Sequence, residues 1–153
     1  MVDTVTDNTD TLTRLRARCE NEPYPKLLGI EVLEVQPGFA RVSMDFESRM
    51  QNIFGMLHGG AVFSLLDEAF QLACNARGEL AVAQQVNTYF LAAASPGAHL
   101  VAEAKEVNAT RKTALYDVRV FEEEGERLLA TAQALAYRKG GELPFDENGD
   151  LVS

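Results

Sequence analysis

The stretch HGGAVFSLLDEAFQLACNAR, residues 58–77, is the strongest helical segment of the chain and decides its fold. At about 100° per residue, its apolar side chains fill an arc of roughly 200°. The arc comprises Val62, Phe63, Leu65, Leu66, Ala69, Phe70, Leu72, Ala73 and Cys74. An apolar face of this width predicts a helix that a sheet wraps around. Gly78 follows the helix and is expected to end it.

Two adjacent carboxylates on this helix have different expected surroundings. Glu68 lies near the middle of the polar side, which predicts a solvated charge. Asp67 lies at the margin of the apolar arc, beside Phe63 and Cys74, where partial desolvation would raise its basicity. Asp67 is therefore a candidate general base or nucleophile. On periodicity alone, an Asp that only hydrogen-bonds a neighbouring strand is the favoured alternative.

The helix begins with two glycines, Gly59 and Gly60. Glycines at a helix start let a ligand approach the unpaired backbone N–H groups, which favour negative charge. Such groups suit the oxyanion of an acyl-transfer reaction. The alternative is a glycine turn that allows tight packing.

Outward from this helix, the pattern changes to period two. Alternation predicts strands over about 30–35, 39–46, 80–91, 98–108, 113–122 and 128–138, with a short helix over 13–20. Pro37-Gly38, Pro96-Gly97 and Glu124-Gly125 supply turns. This order predicts an α+β fold, an antiparallel sheet of about six strands wrapped around one long helix.

Length and charge limit the domain organisation and the function. The 153 residues fit one domain, and the net charge of −9 argues against nucleic-acid binding. Much of that charge lies at the two ends of the chain. We expect a disordered acidic arm over 1–12, a domain over 13–139 and an acidic tail over 140–153.

Cysteine usage and hydropathy suggest a compartment. Cys19 and Cys74 are too few for a disulfide framework, so a cytoplasmic protein is expected. No signal peptide and no membrane span are predicted, since no apolar run approaches ~18 residues. His58 and His99 lie far apart, and no Cys/His/carboxylate cluster has ligand spacing, so no metal site is predicted.

Residues His58 to Phe70, with Ala73-Cys74-Asn75, resemble the signature of hotdog-fold thioesterases, and are most similar to the PaaI-like group of phenylacetate-degradation thioesterases. The resemblance extends over residues 26–139, through Phe90-Leu91 and Tyr116-Asp117-Val118. It implies the hotdog fold, in which a sheet wraps one long helix, and hydrolysis of acyl-CoA thioesters.

The resemblance also implies roles for single residues. Asp67 matches the catalytic carboxylate of the family, and Gly59 the glycine whose amide polarises the thioester carbonyl. Asn52 matches an asparagine that orients substrate or water, and His58 matches a motif histidine that is more often structural than catalytic. Gln85 departs from the Ser or Thr of some relatives near the lytic water.

Substrate-binding residues are expected at Gly60, Gln85, Phe54, Arg111 and Lys112. Arg111 and Lys112 lie in a tight turn after a predicted strand, and two adjacent basic side chains suit the phosphates of CoA. A turn that is merely solvated is an equal alternative. Apolar residues that could line an acyl pocket, or belong to the core, are Phe54, Met56, Leu57, Phe63 and Phe90. The likeness favours aryl or medium-chain acyl groups. CoA is then part of the substrate, and no separate cofactor is expected.

In proteins of this kind the site is shared across a dimer, and a homo-oligomer is expected here, either a dimer or a dimer of dimers such as a homotetramer. Two-fold pairing would also cover sheet edges. Two other functions stay open. One is a hotdog hydratase or dehydratase, which usually pairs a catalytic His with the acid, and the other is a non-catalytic acyl-CoA-binding protein.

Overall fold

A computed structural model describes residues 8–152 of the chain, and side chains from residue 9. Its helices are α1 (Asn8–Glu20), α2 (Pro23–Leu28) and α3 (Gly59–Asn75). Its strands are β1 (Glu31–Gln36), β2 (Phe39–Asp45), β3 (Glu79–Phe90), β4 (His99–Ala109), β5 (Thr113–Glu122) and β6 (Arg127–Glu142). Short 3₁₀ turns cover Ser48–Met50 and Glu124–Glu126. None of the described helices combines the length and apolar character needed to cross a membrane.

The six strands form one sheet in the order β1-β2-β4-β5-β6-β3, and every neighbouring pair is antiparallel. The predicted sheet wrapped around one long helix, the hotdog architecture, is therefore confirmed. Strand β3 follows the helix along the chain, yet within residues 8–152 it pairs only with β6 and lies at the edge of the sheet. The backbone groups on its other side are thus open to a further strand.

Helix α3 packs its apolar arc against the concave face of the sheet. Leu65, Leu66 and Leu72 are fully buried, and the Phe70 ring meets the Tyr116 ring edge to face at 5.5 Å. The last turn is tied to the edge strand by Asn75, whose Nδ2 donates to the Ala81 carbonyl at 3.1 Å and whose Oδ1 accepts from the Ala81 amide at 2.9 Å. These two hydrogen bonds between the Asn75 side chain and the Ala81 backbone hold the end of α3 against β3.

The first two helices cover the side of α3 that the sequence predicts to be solvated. Tyr24 Oη lies 2.8 Å from Ser64 Oγ, and Gln71 Nε2 donates to the Glu22 carboxylate at 2.9 Å. Helix α2 lies where Pro23 and Pro25 predict a turn, because proline also fits the first turn of a helix. Helix α1 begins at Asn8, so residues 8–12 of the expected arm belong to it, and residues 1–7 lie outside the described residues.

The C-terminal segment is folded, contrary to the expected tail from residue 140. Strand β6 continues to Glu142, and Leu143 and Phe145 are each 7% exposed. The segment turns back through a bridge between Phe145 and Leu151. Two apolar side chains among the acids explain this packing, which the charge count alone could not reveal.

Candidate active site

The start of α3 is built by His58 and the glycine pair. His58 has extended backbone angles, and its Nδ1 accepts a hydrogen bond from the Gly60 amide at 2.8 Å. The histidine is thus the N-cap of the helix. Any part of His58 in catalysis stays a prediction. Because the Gly60 amide is already paired, the free donor of this pair is Gly59, whose N–H has no acceptor among the described residues.

Asn52 shapes the loop that leads to this helix. Asn52 Oδ1 accepts from the backbone amides of Phe54 at 2.9 Å and Met56 at 3.1 Å. The backbone N–H of Asn52 donates to the Met56 carbonyl at 2.7 Å. The carboxamide oxygen therefore stabilises a tight turn. Asn52 Nδ2 makes no hydrogen bond within residues 8–152 and stays available to a ligand.

Asp67 is half-buried at the margin of the apolar face, as the helical wheel predicts. Burial, and then the nearby negative charge of Glu22, raises the pKa of the Asp67 carboxyl above its usual range. No described group donates a hydrogen bond to this carboxylate. It therefore differs from an Asp that is held by a neighbouring strand, and it is free to accept a proton from a bound water.

The prediction of a solvated Glu68 is wrong. Glu68 is 6% exposed, because the segment between α1 and α2 lies over it. Burial and the charge and hydrogen bond of Glu22 raise the pKa of Glu68 to about 8. Gln71 Nε2 bridges the two carboxyl groups, 2.9 Å from Glu22 and 3.3 Å from Glu68. With a pKa of about 8, Glu68 holds its proton near neutral pH.

Glu22 is a site residue that the sequence does not single out, because it lies between α1 and α2, 45 positions before Asp67. Cys19 joins the same cluster, and the ligand atoms of Cys19, Glu22 and Glu68 all lie within 4.8 Å of one another. Burial holds the pKa of Cys19 well above its usual range, which keeps the thiol protonated. Spacing along the chain could not reveal this grouping. The absence of a metal site stays a prediction.

A cavity of about 330 Å³ opens beside Asp67. Its floor is Phe70, Gln71 and Cys74 of α3. One wall consists of Leu15, Arg18 and Cys19 of α1 and of Glu22, which lies between α1 and α2. The other walls are residues 80–83 of β3 and the C-terminal segment, which contributes Leu143, Pro144, Phe145 and Leu151. The lining is mostly apolar with a few carboxyl groups on one side, which is typical of a small-molecule site.

The apolar residues that could line an acyl pocket fall into two groups by their exposure to solvent. Leu57 is buried in the core and Phe63 is half-buried, whereas Phe54, Met56 and Phe90 are 74%, 42% and 57% exposed. The Phe90 ring lies next to Gly59, and its nearest atom is 3.5 Å from the position that a Cβ there would occupy. Phe90 thus lies beside Gly59, and none of the three exposed members lines the cavity beside Asp67.

The remaining candidates lie on the surface. Gln85 is exposed beside an irregularity in β3, and its Nε2 is 3.4 Å from Asn87 Oδ1. Arg111 and Lys112 are exposed in the turn between β4 and β5, and Lys112 Nζ lies 5.9 Å from the centre of the Tyr137 ring. Their part in substrate binding stays a prediction.

The Gly59 amide and the Asp67 carboxylate lie on one helix but far apart. Eight residues separate them, which corresponds to ~12 Å along the axis of α3. One thioester carbonyl cannot contact both groups of the same copy, because a hydrogen bond spans only ~3 Å. The two groups can cooperate only if they come from different copies of the chain.

Comparison with known proteins places this fold and these residues in a family. Residues 54–129 match the model of the Thioesterase superfamily. A putative esterase of Archaeoglobus fulgidus is 40% identical over 82% of this chain and 80% of its own length. The acyl-coenzyme A thioesterase PaaI of Escherichia coli K12 is 34% identical over 83% of this chain and 90% of its own length.

The solved structures agree with the sequence relatives. The structure of the E. coli PaaI protein from the phenylacetic acid degradation operon superposes with a TM-score of 0.83 at 32% identity, covering 88% of this chain and 97% of that one. Family and fold are therefore shown by independent comparisons. The chain belongs to the PaaI-like group of the hotdog-fold thioesterase superfamily and is a hydrolase that acts on thioester bonds.

Proposed function

We propose that the protein hydrolyses the thioester bond of aryl- or medium-chain acyl-CoA, with Asp67 as its general base or nucleophile. The observation that carries this proposal is the half-buried Asp67 carboxylate, unpaired within residues 8–152, at the mouth of a mostly apolar cavity. The activity of the E. coli relative, an acyl-coenzyme A thioesterase, supports the choice of substrate class.

In the general-base route, Asp67 takes a proton from water as the water oxygen attacks the thioester carbonyl carbon. The carbonyl oxygen becomes an oxyanion and accepts a hydrogen bond from the Gly59 amide at the N-terminus of a helix. The C–S bond then breaks, the acid is released, and the thiolate leaving group takes the proton from Asp67. The raised pKa of Asp67 makes the carboxylate a stronger base for this task.

In the nucleophilic route, a carboxylate oxygen of Asp67 attacks the same carbon and displaces the thiolate, which forms a mixed anhydride that water then hydrolyses. Single turnover in heavy-oxygen water separates the two routes. Under general-base catalysis the label enters only the released acid. Label in the Asp67 side chain, found by peptide mass spectrometry, requires the anhydride.

The substrate is proposed to bind between copies of the chain, so the working form is a homo-oligomer, a dimer or a dimer of dimers. The separation of Gly59 and Asp67 along α3 supports this arrangement, as does the unpaired edge of β3. Asn52 Nδ2 would orient the substrate or the water, and Arg111 and Lys112 would bind the CoA phosphates. The predicted cytoplasmic location fits two half-buried thiols without a disulfide.

Replacing Asp67 by Asn tests the proposal, since Asn keeps the shape of the side chain but cannot take a proton. We expect kcat on a phenylacetyl-CoA or medium-chain acyl-CoA substrate to fall by ~10²-fold or more. The matched control is Asp10→Asn, an exposed Asp of α1, with unchanged kcat. Near-normal release of free thiol by folded Asp67→Asn would contradict the proposal. Binding without thiol release by the unaltered protein, or hydration without it, would favour the two alternative functions.

A further inference from the structure

The cavity beside Asp67 is lined by two segments that lie outside the part of the chain matched by the family model. That model covers residues 54–129, whereas α1 spans Asn8–Glu20 and the C-terminal wall spans residues 143–151. We call α1 together with residues 143–151 the cover. The residues proposed for the chemistry, by contrast, all lie at or near the matched region.

The two parts of the cover are fastened to each other. The Arg14 guanidinium donates to the Phe145 carbonyl, and Arg18 Nη1 donates to the Gly149 carbonyl at 3.4 Å. Gly149 lies so close to α1 that a Cβ at this position would collide with the backbone of Ala17 and Arg18. Its φ of 79° is also in the left-handed region, which favours glycine. The contact therefore depends on glycine for two separate reasons.

The cover presents an apolar surface to the cavity. Leu15 of α1 and Leu143, Pro144, Phe145 and Leu151 of the C-terminal segment line it, opposite Phe70 and Leu80. The cavity volume of about 330 Å³ is near the lower end of the ~300–1,000 Å³ range of ligand sites. A site of this size has room for one ring or a medium-length chain.

Charged groups also line the cavity. Asp67 and Glu22 lie on one side, and the Arg18 guanidinium on the lining donates to a backbone carbonyl of the cover. The lining thus carries charges of both signs, and a neutral apolar acyl group would gain by leaving water.

We propose that the cover closes the far end of the acyl site and makes the enzyme select short apolar acyl groups over long ones. This inference rests on the proposed function, because it takes the Asp67 cavity to be the place where the acyl group binds. Selection follows from the closed wall, since a longer chain must either displace the cover or stay in water.

Two variants open the cover by different means. Leu151→Ala removes an apolar side chain that lines the cavity but is 65% exposed, so the fold should tolerate the change. Gly149→Ala pushes the C-terminal segment away from α1. The matched control is Val152→Ala, which truncates a neighbouring exposed side chain that does not line the cavity.

The measurement is kcat/KM over a series of straight-chain acyl-CoA substrates of increasing length, with circular dichroism as the check on folding. We expect both variants to raise kcat/KM for long chains relative to short ones by about 10-fold or more, the effect of one or two apolar groups in a specificity pocket. The Val152→Ala profile should match that of the unaltered protein.

Parallel assays of Asp67→Asn keep the two proposals apart. If Asp67→Asn is inactive while both cover variants keep the original length profile, the selective role of the cover is overturned and the proposed chemistry stands. If Asp67→Asn is fully active while the cover variants accept longer chains, the role of Asp67 is overturned and the cover stands.

Discussion

At the scale of single residues, the chemistry depends on how three neighbouring carboxyl groups divide their charges. Gln71 bridges Glu22 and Glu68, and Glu68 holds a proton near neutral pH, while Asp67, next to Glu68 in sequence, has its carboxylate on the cavity. Burial acts on both helix carboxyls, but Glu68 has a partner that can hold its proton and Asp67 has none in the described part of the chain.

The buried Glu68 should make the protein less stable in alkali. Its pKa is about 8 in the folded state against an ordinary 4.5, so between these pH values the folded state holds a proton that the unfolded state has released. Stability therefore falls as pH rises through this window and levels off above it. Glu68→Gln cannot ionise, and we expect it to exceed the unaltered protein in free energy of unfolding by about 4 kcal/mol more at pH ~9 than at pH ~5.

Urea unfolding at the two pH values measures this difference. Glu20→Gln, at an exposed position of α1, is the control and should follow the pH dependence of the unaltered protein. A Glu68→Gln variant with the same pH dependence as the unaltered protein would show that Glu68 is ionised in the folded state.

The helical wheel located Asp67 correctly and misplaced Glu68, for one physical reason. A wheel describes only one helix, and it predicts exposure correctly wherever nothing else covers that helix. Asp67 lies at the margin of the sheet contact, which the wheel contains. Glu68 is buried by Glu22 and its neighbours, whose position over α3 is a tertiary contact that periodicity does not contain.

At the scale of elements, the N-terminus of α3 is the part on which binding depends. His58 caps the helix through Gly60, Asn52 folds the preceding loop, and the Gly59 amide is left as the free donor. Each polar group of this segment has a separate structural task, so a substitution can test one task at a time.

Loss of the cap should cost stability and leave the chemistry largely intact. His58→Ala removes the acceptor for the Gly60 amide, and we expect about 1 kcal/mol less stability with a Tm lower by a few degrees. His58→Asn should restore most of this loss, because Asn is a favourable N-cap residue. Scanning calorimetry and kcat together test the idea. A fall of 10²-fold or more in kcat for both variants, with Tm restored in Asn, would instead make His58 catalytic.

Element types followed from sequence wherever a hydrophobic period was long. The six strands and α3 lie within a few residues of their predicted positions, with β6 the exception because it continues to Glu142. Helix α2 was missed because Pro23 and Pro25 permit both a turn and a first helical turn. The folded C-terminal segment was missed because two apolar side chains in an acidic stretch form no period.

At the scale of the whole molecule, the helix that supplies the carboxylate cannot supply the oxyanion donor to the same site. If Gly59 and Asp67 act as proposed, the ~12 Å between them along α3 means that a second copy must complete the site. The fold itself was predictable from element order, and the family from residues 58–70, whereas the number and arrangement of copies was not, since no residue pattern specifies which faces meet.

Mixing two inactive variants tests whether sites are shared. Gly59→Pro removes one N–H at the first helical position, where proline is favoured, and the extended angles of His58 suit a residue before proline. Each of Gly59→Pro and Asp67→Asn should be inactive alone. After unfolding and refolding an equal mixture, half the dimers carry one intact site, so we expect about one quarter of the original activity.

The comparison for this experiment is each variant refolded alone, with size-exclusion chromatography to verify that the copies have reassociated. Recovery of activity only in the mixture requires that Gly59 and Asp67 of one site belong to different copies. No recovery in a properly reassociated mixture would place both groups in a single copy and contradict the shared site.

The fastening of α1 to residues 143–151 has a consequence for protein synthesis. Along the chain, α1 precedes Asp67 and the strands around it, and residues 143–151 follow them, so this wall of the cavity is translated last. A chain cut short after β6 would keep its reactive carboxylate but lack half of the enclosure. If Asp67 and the cover act as proposed, such a fragment would hydrolyse thioesters with less selectivity for the length of the acyl chain than the unaltered protein.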